Sequence, residues 1–177
     1  MSSKPNTWTQ IIEPVMRQAL AEIVAYLPST KAPASAFRAY RAAAFTIISS
    51  TTQVVPMDAV DYDLLGEFSL ATGLWTPQKS GQYLITAGLA LNTNQNSGVP
   101  LRLMVYKNGS LERYFYYSAV ASTSVAPQIN GADHFNVVAG DQYAIYTAVN
   151  ALGGPPVPNT LVATGTANTW FSATQLR

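Results

Sequence analysis

Few residues in this chain have chemistry to offer. Asp58, Asp61 and Asp63 are its one close group of carboxylates, and hard oxygens of this kind suit calcium. Aspartates in a turn also accept backbone N–H groups, and that use is the one expected of these three. The only histidine, His134, stands beside Phe135 in a strand-like run, where an imidazole more often serves structure than catalysis. Cysteine is absent, which excludes disulfides, thiolate nucleophiles and thiolate metal sites. The sequence has no Gly-x-Ser-x-Gly elbow for acyl transfer. Gly153-Gly154 lacks the strand-to-helix setting of a phosphate loop, and no spaced acid pair points to glycoside cleavage. We therefore expect no catalytic residues, no resident metal and no cofactor.

Aromatic residues are the more suggestive feature. Of the 10 tyrosines, Tyr114, Tyr116 and Tyr117 fall close together around Phe115. Strict strand alternation would put Tyr114 and Tyr116 on one face and Phe115 with Tyr117 on the other. One face must be core; the other is a subunit interface or a ligand surface, with the interface favoured. Residues 92–98, with Asn94, Gln95 and Asn96, and residues 152–159, with Pro155 and Pro156, read as loops suited to recognition. Asn108-Gly109-Ser110 matches a glycosylation acceptor, but a hairpin turn accounts for it fully.

These residues need a scaffold, and composition narrows it. The 177 residues are 48% hydrophobic, enough for a packed domain, yet only 11% are charged, against a usual share of about 25%. Such a shortage implies that sister subunits or a larger particle cover part of the surface. A net charge of +1 provides no field to attract nucleic acid or an anionic membrane. No apolar run approaches the roughly 20 residues of a membrane span, and the first residues lack the apolar core of a signal peptide.

Residues 9–27 read as a helix that Pro28 stops, with Pro14 near its start. Ile12, Met16, Ala19, Ile23 and Tyr26 recur at alternating spacings of 4 and 3, the seam of a coiled coil of about two heptads. An amphipathic helix docked on its own domain or on a host surface fits equally well. Either way the stripe, with Trp8 ahead of it, needs a partner. Residues 28–36 are small, polar or proline and read as a linker, so we place domain boundaries at 1–36 and 37–177.

From residue 37 onward the texture is β. Tyr83, Ile85, Ala87, Leu89 and Leu91 alternate, as do Leu101, Leu103 and Val105, and then Tyr143, Ile145, Thr147 and Val149. Asn108-Gly109 between two such runs predicts a tight hairpin. Trp170 to Leu176 forms a last strand. Many short strands without an intervening helix mean an all-β sandwich or barrel of the jelly-roll type.

The order of motifs resembles the globular head of complement C1q and its tumour-necrosis-factor-like relatives. Asp61-Tyr62-Asp63 precedes Gly66-Glu67-Phe68; Thr72-Gly73-Leu74-Trp75-Thr76-Pro77 and Ser80-Gly81-Gln82-Tyr83 follow. Tyr106-Lys107-Asn108-Gly109, Gly140-Asp141 and Phe171-Ser172-Ala173 continue the succession. The resemblance covers about residues 37–177. It implies a jelly roll packed as a homotrimer around an apolar axis, with Tyr83 pointing inward and calcium bound in some relatives. A short helix leading into such a head, without a collagen-like tract, resembles a bacteriophage virion protein more than an animal one. The expected function is a non-enzymatic trimeric component of a virion (fibre tip, baseplate or capsid decoration) that contacts other virion proteins and a host-surface glycan or protein. The alternative is a free bacterial glycan- or protein-binding module.

Overall fold

Apolar residues at every second position become antiparallel strands here. A computed structural model describes residues 34–47, 51–91, 100–119, 128–149, 159–161 and 168–176. The expected helix, with Trp8, Ile12, Met16, Ala19, Ile23 and Tyr26, lies outside the described residues. So do the loop residues Asn94, Gln95, Asn96, Pro155 and Pro156.

No helix interrupts the described residues. The early strands are β1 (Ala36–Tyr40), β2 (Phe45–Ile47), β3 (Thr52–Val54), β4 (Ala59–Asp63), β5 (Phe68–Ser69) and β6 (Leu74–Trp75). The longer ones follow: β7 (Gly81–Ala90), β8 (Pro100–Lys107), β9 (Ser110–Ala119), β10 (Gln128–Val137) and β11 (Tyr143–Val149). The last are β12 (Asn159–Leu161) and β13 (Trp170–Gln175). One sheet runs β10-β7-β13-β1-β4, and a second runs β5-β6-β11-β8-β9 with β3 also paired to β11. β12 and β2 form a small ribbon. This is an all-β jelly-roll sandwich, as the sequence predicts.

Between the sheets, Tyr83, Ile85, Ala87 and Leu89 of β7 face Leu101, Leu103 and Val105 of β8 and Ile145 of β11, all buried. An aromatic chain crosses this core. Phe37 lies against Phe68, Trp75 and Phe171 at ring-centre distances of 5.0, 5.3 and 4.9 Å. Trp75 continues it to Tyr83 at 5.2 Å and Tyr143 at 5.4 Å.

The head starts earlier than Phe37. β1 begins at Ala36, and Ser35 is buried, its carbonyl accepting the Gln175 N–H at 2.9 Å and its hydroxyl donating to Glu67 at 2.5 Å. Small side chains gave these two residues the look of linker, whereas long-range hydrogen bonds make them part of the sheet.

The predicted hairpin forms between β8 and β9. Asn108 and Gly109 have φ of 50° and 79°, the left-handed pair that a type I′ turn requires. Asn108 also fastens this turn to the one between β10 and β11. Its side-chain carbonyl accepts the Gln142 N–H at 2.8 Å, and its amide donates to Asp141 at 2.9 Å. Lys107 pairs with Asp141 at 2.8 Å. The lysine's hydrogen bond, then that of Asn108, holds the Asp141 carboxyl below its ordinary range. A depressed folded-state pKa stabilises above the unfolded value and loses that contribution as the pH falls. The denaturation midpoint of the wild type should therefore exceed that of Asp141→Asn at neutral pH, and the gap should close as pH falls below about 4. A gap unchanged between pH 7 and pH 3 would show that the charge does not matter.

Candidate functional site

The three aspartates are held in the scaffold by partners of their own. Asp58 accepts the N–H groups of Ala42 and Ala43 at 2.5 and 3.0 Å and faces Arg41 at 3.4 Å. Asp63 accepts those of Glu67 and Phe68 at 3.0 and 2.8 Å. Asp61 faces Arg38 at 3.6 Å. Each carboxylate thus has its own set of partners, and among the described residues no three acidic or imidazole groups converge as a cation would need. Turn capping is the visible role of Asp58 and Asp63, and the ion pair with Arg38 that of Asp61.

Glu67 is the carboxylate the sequence reading overlooked. It is only 4% exposed, and a buried charge must be fully hydrogen-bonded to be tolerated. Its oxygens accept from the Ser35 hydroxyl, from the Trp75 indole N–H at 3.2 Å and from the Gln78 N–H at 2.7 Å. With every donor supplied by the scaffold, it ties the start of β1 to β6. Burial pushes the phenols of Tyr83 and Tyr143 above their ordinary range, so neither offers a phenolate at neutral pH. His134 is exposed on β10 and, with Gln82, Phe135, Asn136 and Leu176, lines a shallow cavity of about 400 Å³. Among the described residues that line it there is no carboxylate or hydroxyl to complete an acid–base or nucleophilic set.

The tyrosine run is brought to the surface differently from the alternation expected of it. Leu103 pairs with Tyr116 but Met104 pairs with Tyr114, so Phe115 is an extra residue in β9, a β-bulge. The bulge resets the period. Phe115 and Tyr116 both lean on the core, and Tyr114 and Tyr117 face outward together at 47% and 61% exposure, their rings 5.6 Å apart. The pairing of Tyr114 with Tyr116, and of Phe115 with Tyr117, is therefore corrected. Alternation in β8 and β11 adds two more rings to this outer face, Tyr106 and Tyr146, stacked at 4.0 Å. Arg102 lies over Tyr117 at 5.0 Å. Alternation opposite the core residues Leu103 and Ile145 was the signal that could have found Tyr106 and Tyr146.

The outer face of the five-stranded sheet has another character. At its centre the hydroxyls of Thr86 and Ser172 bond each other at 2.7 Å. The Trp170 ring lies so flat on the Gly88 backbone that a Cβ there would come within 2.0 Å of it. Arg38, the charge on β1, is paired with Asp61.

Neither a protein-family model nor a curated protein matches the chain. Solved structures do. Murine APRIL superposes with a TM-score of 0.57 at 12% identity, over 81% of this chain and all of its own, 100%. The globular domain of zebrafish complement 1qA protein gives 0.54 at 17% identity, over 82% of this chain and 98% of that one. The Eiger TNF of S. frugiperda gives 0.55 at 13%, over 82% and 94%. At such identities the likeness is one of fold, and the fold is the C1q/TNF-like jelly roll.

Proposed function

We propose that this chain is a non-enzymatic, homotrimeric binding protein, and that the segment before Ala34 fastens its jelly-roll head to a bacteriophage virion. The trimer is supported above all by the outer face of the five-stranded sheet. Leu84, Thr86, Gly88, Trp170 and Ser172 make it flat and almost uncharged, and its central hydroxyls satisfy each other. Such a face loses little when water leaves it, whereas a sheet face meant for solvent carries charge. The fold shared with C1q and TNF heads supports the same assembly. Attachment through the N-terminal segment rests on the apolar stripe expected over residues 9–27, which has to be covered by something, and other virion proteins are the partners proposed.

A charge placed mid-face tests the assembly. Thr86→Glu should fold, as judged by far-UV circular dichroism, but should fall from three chains to one by light scattering. A folded variant that keeps the wild-type mass would remove this face from the interface. Deleting residues 1–33 should leave a folded trimer that no longer sediments with virions. Continued co-sedimentation would move the attachment to the head.

A further inference from the structure

The outward face of the six-stranded sheet is left over once core and subunit interface are assigned. On a solvated antiparallel face, polar and charged side chains alternate with core residues. Here the rows read Ala148–Arg102–Tyr117, Tyr146–Met104–Tyr114 and Ala144–Tyr106–Leu111 across β11, β8 and β9. Strands lie about 4.8 Å apart and alternate residues about 7 Å apart, so the rows form a continuous platform. Four tyrosine rings stand on it, and Met104, buried, lies with Ala144 and Ala148 between them.

Among the described residues its one charge, Arg102, has no carboxylate paired with it. Asp58, Asp61, Asp133 and Asp141 are paired with Arg41, Arg38, Arg113 and Lys107. Asp63 and Glu67 are taken up by backbone and side-chain donors. Glu112 sits at the hairpin end of β9, away from Arg102. Arg102 rests on Tyr117 instead, and its Nε is buried with no hydrogen-bond partner among the described residues. A guanidinium that stacks on a ring and has no carboxylate beside it is the group with which an arriving anion would pair.

We propose that this face binds an acidic polysaccharide, with sugar rings laid on Tyr106, Tyr114, Tyr117 and Tyr146 and a sugar carboxylate bound by Arg102. It rests on the reading of the chain as a binding protein and names the ligand class. Tyrosine suits a sugar because its ring offers apolar area to the C–H face and its hydroxyl a partner for the sugar hydroxyls. A single cation matches one carboxylate per repeating unit. It does not match nucleic acid, whose binding needs several phosphate contacts.

Full-length protein should be titrated calorimetrically with polysialic acid and with an alginate oligosaccharide, using dextran and single-stranded DNA as controls. One of the acidic glycans should bind, and dextran and DNA should not. Arg102→Gln and the exposed-ring variant Tyr117→Ala should each weaken binding about tenfold or more while the mass in solution stays that of the wild type. The proposal is overturned if neither acidic glycan binds, if dextran or DNA binds as well, or if both variants bind like the wild type. A monomeric wild type that binds the glycan would contradict the trimer and leave the platform standing.

Discussion

Trp75→Ala should destabilise the head by about 3–5 kcal/mol, the usual cost of truncating a fully buried large aromatic. Its ring meets Phe37, Tyr83 and Tyr143, residues brought in by three different strands. The same change removes the indole N–H that Glu67 accepts, leaving a buried carboxylate one donor short. Against a total stability of about 5–15 kcal/mol, the loss takes a large share. Trp75→Phe keeps most of the packing but not the donor, so it should fall between. Urea denaturation of the three proteins gives the order directly. An alanine variant within about 1 kcal/mol of the wild type would mean that Trp75 is not the centre of the core.

Gly131→Ala should be the most damaging addition of a single methyl. A Cβ there would lie 2.5 Å from Phe115 Cβ and 3.1 Å from Phe115 Cα. Those atoms are fixed to the backbone, and no rotamer change removes them. β9 and β10 must separate where they close the sandwich, at a cost of about 1–3 kcal/mol for forced overpacking. Gly88 makes a useful contrast, since its near neighbours are the far ring atoms of Trp170, which can swing away. Gly88→Ala should therefore cost less and change tryptophan fluorescence. Adding Phe115→Ala to Gly131→Ala should not restore stability, because the clashing Cβ remains. Full recovery in that double variant would show that the ring, and not the backbone approach, sets the limit.

What could be read in the sequence was whatever local pattern determines. Asn108-Gly109 required a left-handed pair and formed the hairpin, and the period-two runs around Tyr83, Leu103 and Ile145 became core strands. The order of turn and aromatic motifs indicated the jelly roll. The parts that escaped depend on long-range or cryptic features. Glu67 looks like a surface residue until Ser35, 32 positions away, and Trp75 are folded around it. The bulge at Phe115 leaves no mark in Tyr114-Phe115-Tyr116-Tyr117, because every residue there tolerates either face. The outward tyrosines Tyr106 and Tyr146 lie 40 residues apart and meet only through the β8–β11 register.

The mass of the full-length protein in solution tests the trimer most directly. Light scattering behind a sizing column should give three times the chain mass of 19.0 kDa, unchanged on moderate dilution. A clean single-chain mass would contradict the trimer and leave the flat, nearly uncharged face of the five-stranded sheet without its partner.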